Sequence, residues 1–280
     1  MSLKVAEKIP LGSRKATPFT IPISSTGGNF ACTIPAEQVY VLTFTSGPDN
    51  RVTIPFIKAF MLSLDIIEHK FPPGVVVTTS GIGKFYSNGY DLEHVSQHAD
   101  FFEGYSFPIL RRLLTYPMPT IALINGHAFG AGCFLALAHD YRIQNPTRGF
   151  NCLPEIDMGV LIPTAVQAMF KQKMPNPTVF RDVALEGRRF GGPEALKMGW
   201  VDGLGGMEEV LQLVKERKLT GRGATSAWGG IKEDIYAETL AAMDDNAGNG
   251  RWRDEIERVK EGKYEVSRAN VERWEKGAKL

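Results

Sequence analysis

This 280-residue chain has few cysteines, no surplus of charge of either sign and no long apolar run. The chain has three cysteines, Cys32, Cys133 and Cys152. Because the number is small and odd, it argues against a disulfide framework and favours a reducing compartment. The 32 lysines and arginines balance 31 aspartates and glutamates, so no charge excess points to nucleic acid or an anionic membrane. Because no run of 18 apolar residues occurs, the sequence predicts no transmembrane helix.

Signatures of several common protein classes are also missing. The first fifteen residues lack the apolar core of a secretory signal. Neither Gly-x-Ser-x-Gly nor His-Glu-x-x-His occurs, which removes the common serine hydrolase and zinc protease signatures. Gly81–Lys84 resembles part of a phosphate loop, but the earlier glycine is missing and Phe85 stands where that loop needs Ser or Thr. What remains is the composition of an ordinary globular protein, 43% hydrophobic and 22% charged.

The apolar pattern predicts an α/β fold. Short apolar and β-branched runs predict strands at Phe19–Ser24, Phe30–Ile34, Val39–Thr45, Val75–Thr79, Ile121–Ile124 and Tyr141–Gln144. Between them, Thr53–Lys70 carries apolar residues at helical spacing, and a second helix is expected from Asp91. Strands that alternate with helices in this way predict a parallel sheet with right-handed crossovers.

From Pro163 onward the pattern is helical, including single predicted helices at Ser226–Met243 and Arg251–Trp274. We therefore predict a core domain over residues 1–205 and a helical region over residues 206–280. In the last predicted helix, Trp252 and Val259 share a face amid mixed charge. Such a face packs either on its own core or on a neighbouring subunit, so we expect a role in oligomerisation.

The most informative segment of the chain is Thr120–His139. A predicted strand is broken by Asn125-Gly126, and Gly130-Ala131-Gly132 then opens an apolar helix. Helix starts carry unpaired N–H groups and a partial positive charge, and small residues let a ligand approach them closely. Two interpretations stay open from this segment alone. It either stabilises developing negative charge or packs tightly in a core, where small residues are needed for fit.

A second segment, Val75–Glu93, runs from a strand into a loop that ends in Ser87-Asn88-Gly89-Tyr90-Asp91. Asp91 is placed to cap the following helix. The backbone N–H groups near Tyr90 and near Ala131 come from successive strand–helix units. If both face one cavity, they form an oxyanion hole, that is, a pair of hydrogen-bond donors for a developing negative oxygen.

A third segment, Asn151–Pro163, holds Glu155 in otherwise apolar surroundings. A carboxylate in that setting has a raised pKa and can serve as a base. Two alternatives stay open: Glu155 is solvated, or it pairs with a cation such as Arg148. Asp157 is a rival base on the same loop.

A pair of histidines, His94 and His98, lies four residues apart on the helix expected from Asp91. This is the spacing of two metal ligands on one helix face, but no third ligand is evident. We therefore interpret both as solvated polar residues and predict no metal site.

Together the three segments resemble the enoyl-CoA hydratase/isomerase family, also called the crotonase superfamily, from about Gln38 to Gly203. Phe85–Leu92 matches the first oxyanion signature of the family, and Asn125–Cys133 matches the second. The resemblance implies a spiral of β-β-α units, as in ClpP-like folds. It also implies that the N–H groups of Tyr90 and Ala131 hold the thioester oxygen of an acyl-CoA substrate, with Ser87 lining the pocket.

One departure from the family pattern is informative. Hydratases of the family use two glutamates, and Phe134 occupies the position of the first while Glu155 matches the second. A shift of a double bond needs a single base. The chain also resembles the plant and fungal Δ(3)-Δ(2)-enoyl-CoA isomerases, which share the Glu-x-Asp-x-Gly arrangement seen at Glu155, Asp157 and Gly159. We expect conversion of 3-enoyl-CoA to 2-trans-enoyl-CoA in fatty-acid β-oxidation. A hydratase or other acyl-CoA lyase, and a non-catalytic binding protein of the same fold, stay as alternatives.

The resemblance carries further expectations about partners. It implies a homotrimer or hexamer and no cofactor apart from the CoA of the substrate. The balanced charge argues against a nucleic-acid partner. Arg51 and Lys84 lie where the family holds parts of CoA. Ala278-Lys279-Leu280 is a close variant of the Ser-Lys-Leu address read by the peroxisomal import receptor. We therefore expect a peroxisomal protein, with the cytoplasm as the alternative.

Overall fold

The structure is a computed structural model, and it describes residues 16–24, 27–225 and 227–276, with the backbone alone for residues 246–256. The strands are β1 (Phe19–Pro22), β2 (Asn29–Ala36), β3 (Val39–Thr45), β4 (Val75–Ser80), β5 (Phe85–Ser87), β6 (Thr120–Ile124), β7 (His127–Phe129), β8 (Tyr141–Gln144), β9 (Asn151–Cys152) and β10 (Gly203–Leu204). The helices are α1 (Ile54–Lys70), α2 (Leu92–Ser96), α3 (Phe107–Leu114), α4 (Ala131–Ala138), α5 (Thr164–Lys173), α6 (Pro177–Leu185), α7 (Gly192–Lys197), α8 (Met207–Glu216), α9 (Leu219–Gly223), α10 (Ala227–Ile235), α11 (Ala237–Asp244) and α12 (Asn246–Glu275). A π-helical turn at Phe102–Ser106 precedes α3.

Two sheets organise the described residues. The larger has the strand order β1-β2-β3-β4-β6-β8-β10, antiparallel from β1 to β3 and parallel from β3 to β10. The smaller is parallel, with the order β5-β7-β9. Successive units β4-β5-α2, β6-β7-α4 and β8-β9-α5 each give one strand to each sheet and then a helix. This is the predicted spiral of β-β-α units, and the α/β fold class is confirmed.

Helix α1 shows how the sequence produces the local structure. Thr53 caps it, with Oγ1 accepting from the N–H of Phe56, and Pro55 lies in its first turn, where a missing N–H costs nothing. His69 and Lys70 lie in the last turn, near the negative end of the helix dipole. The apolar stripe of the helix, including Phe56, Phe60 and Leu64, is buried against the larger sheet, as the spacing predicts.

Both faces of the parallel part of the larger sheet are buried. Tyr40, Leu42 and Phe44 of β3 face the main core, whereas Val39 and Val41 face a second core beneath α8 and α9. All six residues of β4 are buried. Burial on both faces explains why these strands appear in the sequence as continuous apolar runs rather than as alternating patterns.

The shortest strands and one predicted helix differ from the sequence prediction. The sequence does not predict β5, β7, β9 or β10, because strands of two or three residues carry no readable period. The single helix predicted at Ser226–Met243 is wrong, because α10 ends at Ile235 and α11 begins at Ala237. The break falls at Tyr236, whose hydroxyl accepts from Lys173 Nζ at 2.9 Å.

The C-terminal helices pack on the core through buried polar contacts. Lys232 on α10 is buried and pairs with Asp140 at 2.9 Å. Thr239 on α11 donates to Gln172 on α5. The boundary predicted near residue 205 and the predicted trimer or hexamer stay predictions. Ala278-Lys279-Leu280 lies outside the described residues.

The described helices were also compared with the requirements of a membrane span. None of them is both long enough and apolar enough to cross a bilayer.

Candidate active site

The three segments singled out in the sequence follow the three strands of the smaller sheet. Asn88–Tyr90 follows β5, Gly130-Ala131 follows β7, and Leu153–Glu155 follows β9. Because the carboxyl ends of parallel strands meet at one edge of a sheet, these segments lie side by side. A side-chain carbon added at Gly130 would lie 3.2 Å from Oε1 of Glu155. The structure therefore brings the predicted base next to the start of α4.

The loop that carries Tyr90 touches the start of α4. Gly89 adopts φ +82°, and an added side-chain carbon there would lie 2.7 Å from the oxygen of Phe129 and 3.1 Å from the nitrogen of Ala131. Glycine is required by both the positive φ and this close approach. The peptide that carries the Tyr90 N–H therefore lies against the peptide that carries the Ala131 N–H.

A second close contact fixes α4 against β5. An added side-chain carbon at Gly132 would lie 2.3 Å from the backbone oxygen of Ser87. Helix α4 begins at Ala131 without a side-chain cap, so its first N–H groups have no side-chain acceptor. The N-terminus of this buried helix, which carries the partial positive charge of the helix dipole, thus faces the space beside Glu155.

Glu155 has the environment of a base rather than of a surface carboxylate. Oε2 is buried and has no hydrogen-bond partner, and no ion pair of Glu155 occurs among the described residues. Burial raises the pKa of Glu155 above its ordinary value, against a smaller lowering by its own backbone N–H. The alternative partner, Arg148, lies beside Gly83, where its Nη1 would be 3.6 Å from an added side-chain carbon.

The rival groups lie in other surroundings. Asp157 is exposed, and its Oδ2 would be 2.9 Å from a side-chain carbon added at Gly187. His94 Nε2 accepts from the N–H of Ile54 at 3.2 Å, and His98 Nδ1 bonds to the oxygen of His94 at 2.7 Å. Within the part of the chain that the structure describes, no group of three or more His, Cys, Asp or Glu side chains could hold a metal ion.

Phe134 lies in an aromatic cluster with Tyr90. It is buried, and its ring packs edge-on against Tyr90 and Phe170, each with centroids 6.0 Å apart. Ser87 is also buried, and its hydroxyl donates to the oxygen of Asn50 at 2.7 Å. The assignments of these two residues as pocket lining stay predictions.

The two residues predicted to bind CoA have different surroundings. Lys84 is exposed, with Nζ 5.4 Å from the ring centre of Phe85. Arg51 donates from Nη1 to the oxygens of Asn88 and Tyr90, at 3.3 and 3.0 Å. Both CoA contacts stay predictions.

Sequence reasoning missed the hydroxyl pair of Tyr90 and Ser106. The two oxygens are hydrogen-bonded, and Ser106 belongs to the π-helical turn that precedes α3. Burial raises the pKa of the Tyr90 phenol; the bond to Ser106 opposes this, and the nearby charge of Glu155 adds to it. A π-helical turn has no sequence signature of its own, although such turns are frequent at functional sites.

An apolar cleft next to Glu155 was also missed. Its cavity is about 380 Å³, within the range of small-molecule sites. The lining residues are Glu155, Ile156, Val160, Leu161, Ile162, Gln167, Pro177, Phe180, Arg181, Ala184 and Leu185. Two of them, Leu161 and Leu185, are 68% and 66% exposed, which leaves the cleft open on one side. The run Val160-Leu161-Ile162 was the available signal in the sequence.

Comparison with known proteins identifies the class. The model of the enoyl-CoA hydratase/isomerase family matches residues 36–221. Enoyl-CoA delta isomerase 1, peroxisomal, of Arabidopsis thaliana is 30% identical over 214 residues, which cover 73% of this chain and 88% of that protein. Carnitinyl-CoA dehydratase of Shigella flexneri is 33% identical over 146 residues, covering 51% and 55%. The chain belongs to the enoyl-CoA hydratase/isomerase family.

Solved structures agree on the fold. An enoyl-CoA hydratase from Mycobacterium marinum superposes with a TM-score of 0.68 at 24% identity, covering 79% of this chain and 98% of that one. An Mtb enoyl-CoA isomerase superposes with the same TM-score and the same identity, covering 79% and 96%. Since a hydratase and an isomerase match equally well, the fold does not distinguish the two activities.

Proposed function

We propose that the protein shifts the double bond of a 3-enoyl-CoA to give the 2-trans-enoyl-CoA. The observation that carries this proposal is Glu155, half-buried with Oε2 buried and unpartnered, beside the two backbone donors, while Phe134 stands where hydratases of the family hold the first of their two glutamates. Hydration requires one group to activate water and another to manage the α proton. Migration of a double bond requires one base that takes a proton and returns it elsewhere.

The proposed reaction begins with the thioester oxygen accepting hydrogen bonds from the N–H groups of Tyr90 and Ala131. Glu155 removes a proton from C2, and the electron pair delocalises over the thioester carbonyl and C3=C4 as a dienolate. The two donors stabilise the negative oxygen, each contributing about 3–4 kcal/mol in comparable sites. The protonated Glu155 then delivers a proton to C4, so that C2=C3 forms as C3=C4 is lost.

The pKa of Glu155 suits both halves of this cycle. Burial raises the pKa of Glu155 toward the working pH, which favours a group that both accepts and returns a proton. Phe134, whose ring packs against that of Tyr90, is proposed to support the return step because an apolar ring provides no group to activate water. The proposed steps use protein groups and substrate alone, and that no cofactor is needed stays a prediction.

The acyl tail is proposed to occupy the apolar cleft beside Glu155. The cleft joins the carboxylate to a largely apolar lining that includes Ile162, Phe180 and Ala184. Burial of the tail there contributes about 25 cal/mol per Å² of apolar area removed from water. This binding energy is independent of the reacting carbons and so serves to orient them.

The test of the proposed function compares two substrates. The protein is incubated with 3-enoyl-CoA and, separately, with 2-enoyl-CoA. We expect the double bond of the first to shift and the second to be hydrated far more slowly. Rapid hydration would contradict the one-carboxylate proposal and favour a hydratase. Turnover of neither substrate would favour another acyl-CoA reaction or a binding role.

We also propose that the protein works in peroxisomal fatty-acid β-oxidation. Two isomerases of Arabidopsis thaliana at 30% identity carry the word peroxisomal in their names, and Ala278-Lys279-Leu280 resembles the Ser-Lys-Leu peroxisomal address. Deleting these three residues from an N-terminally tagged chain is expected to abolish its accumulation in peroxisomes. Import that survives the deletion would contradict the proposed address.

A further inference from the structure

The loop that carries Tyr90 is held along its length by the segment Ser46–Val52, called here the brace. Asn88 donates its N–H to the oxygen of Asp49 at 3.0 Å, and Val52 donates its N–H to the oxygen of Gly89 at 2.8 Å. Val52 and Tyr90 form an isolated parallel bridge. The brace therefore fixes the backbone on both sides of Gly89.

Asn50 fixes the conformation of the brace. Its backbone adopts φ +54°, an uncommon conformation that Asn tolerates better than most residues, and its side chain is fully buried. Oδ1 accepts from the N–H of Ser46 at 2.7 Å, while Nδ2 donates to Ser80 Oγ at 2.7 Å and to the oxygen of Tyr86 at 3.0 Å. The brace is thus anchored to β4 and β5 before it reaches the active-site loop.

The partly exposed side chain of Arg51 also binds the brace and the loop that carries Tyr90. Its Nη1 donates to the oxygens of Asn88 and Tyr90, the carbonyls on either side of Gly89. Its Nε pairs with Asp49 Oδ2 at 3.0 Å, and the same oxygen accepts from Asn88 Nδ2 at 2.6 Å. One guanidinium therefore binds two carbonyls and a carboxylate, which the single ammonium of a lysine cannot reproduce.

The geometry links this network to the proposed chemistry through one peptide unit. The peptide between Gly89 and Tyr90 carries both the oxygen that accepts from Val52 and the N–H proposed to bind the thioester oxygen. Hydrogen bonds in a chain polarise one another, so the bond to Val52 strengthens that N–H as a donor. A small displacement of this peptide would misplace the donor relative to Ala131.

We propose that Arg51 is a positioning residue, which acts on catalysis by holding the Tyr90 N–H in place through the carbonyls of Asn88 and Tyr90. The inference rests on the proposed function and replaces a primary role of Arg51 in binding CoA. The two roles have opposite kinetic signatures. Loss of a residue that positions a transition-state donor lowers kcat and leaves KM unchanged, whereas loss of a residue that binds a remote phosphate raises KM, whether or not kcat also falls.

The experiment measures kcat and KM for the double-bond shift in Arg51→Gln and Arg51→Lys. We expect Arg51→Gln to lower kcat by about 10- to 100-fold, the scale of a misplaced catalytic group, with KM and the affinity for free CoA within about twofold of wild type. Arg51→Lys retains the charge and is expected to recover part of kcat. Raised KM with unchanged kcat, or no change in either, would overturn the inference.

Two controls separate positioning from a general loss of structure. Arg222→Gln removes an exposed arginine whose Nε donates to a backbone oxygen, that of Arg217 at 3.1 Å, far along the chain from the site. It should leave kcat unchanged. Asp49→Ala should lower kcat as Arg51→Gln does. Because the two residues act as one unit, the double variant should lose less than the product of the single losses.

A readout that needs no activity completes the test. Amide hydrogen exchange of residues 87–91 should be faster in Arg51→Gln than in wild type or Arg222→Gln, because the loop loses its outer anchor. Unchanged exchange in this loop would overturn the inference even if kcat fell. If wild type lacks isomerase activity while exchange increases as expected, the proposed function fails and the structural role of Arg51 stands.

Discussion

Replacing Glu155 by glutamine is expected to lower kcat for the double-bond shift by about 10²–10⁴-fold, the usual contribution of a general base. The amide has nearly the same shape but can neither take the C2 proton nor return one to C4. The two backbone donors remain, so some rate above the uncatalysed reaction should persist. Substrate affinity should change little, because the thioester and the acyl tail are bound by other groups.

Asp157→Asn is the matched control for Glu155→Gln. Both carboxylates lie on the same loop, but Asp157 is exposed and lies beside Gly187 rather than beside Gly130. Its replacement should leave kcat near that of wild type. Full activity in Glu155→Gln together with loss of activity in Asp157→Asn would transfer the role of base to Asp157.

The pH dependence of kcat/KM gives a second signature of Glu155. The base acts when deprotonated, so activity should fall as the pH falls through its pKa. Since burial raises that pKa, the loss should begin above the range of an ordinary glutamate near 4.5. The residual activity of Glu155→Gln should lack this acid limb, and an identical limb in the variant would assign it to another group.

The second large effect is expected from Gly132→Ala. The added carbon would lie 2.3 Å from the oxygen and 3.1 Å from the carbonyl carbon of Ser87, both backbone atoms of β5. Because these backbone atoms cannot rotate aside as a side chain can, we expect α4 to move away from the loop that carries Tyr90. Because Ala131 begins α4, its N–H moves with the helix. We expect a fall in kcat of about 10²–10³-fold, comparable with removal of one oxyanion donor.

Gly230→Ala controls for the change of glycine to alanine. It lies in α10, where an added side-chain carbon would have nothing within 4 Å. This variant should keep its kcat and gain about 0.5–1 kcal/mol of stability, since glycine weakens a helix. Gly132→Ala should lose about 1–3 kcal/mol from overpacking yet remain folded in thermal unfolding. A folded Gly132→Ala variant with wild-type kcat would contradict the proposed donor pair.

Most of the larger sheet was predictable because its longer strands are apolar or β-branched runs and its helices carry a readable period. The apolar run Val75–Thr79 and the apolar stripe of α1 predict from sequence alone that these residues are buried. The smaller sheet was not predictable in this way, because β9 has two residues and β7 has three. Yet this sheet aligns the three active-site segments. Its existence followed from the family resemblance, not from local pattern.

The site itself was predictable to different degrees. Gly89 and Gly132 mark close approaches, and a glycine in the sequence shows that room is needed without showing for which atoms. Whether Glu155 is free or paired with Arg148 depends on contacts between loops far apart in sequence, which no local signal encodes. The hydrogen bonds from Arg51 to the oxygens of Asn88 and Tyr90 likewise join residues that are 37 and 39 positions apart in the sequence. Such long-range contacts are decided by the packed fold.

The central claim is that one carboxylate carries a proton from C2 to C4, and isotope transfer tests it most directly. A 3-enoyl-CoA deuterated at C2 is converted in ordinary water during a single turnover, and the product is analysed for deuterium at C4. The account predicts that a measurable fraction of the product carries the label there, since Glu155 returns the proton it removed within an apolar pocket. Product with solvent hydrogen alone at C4 would contradict it.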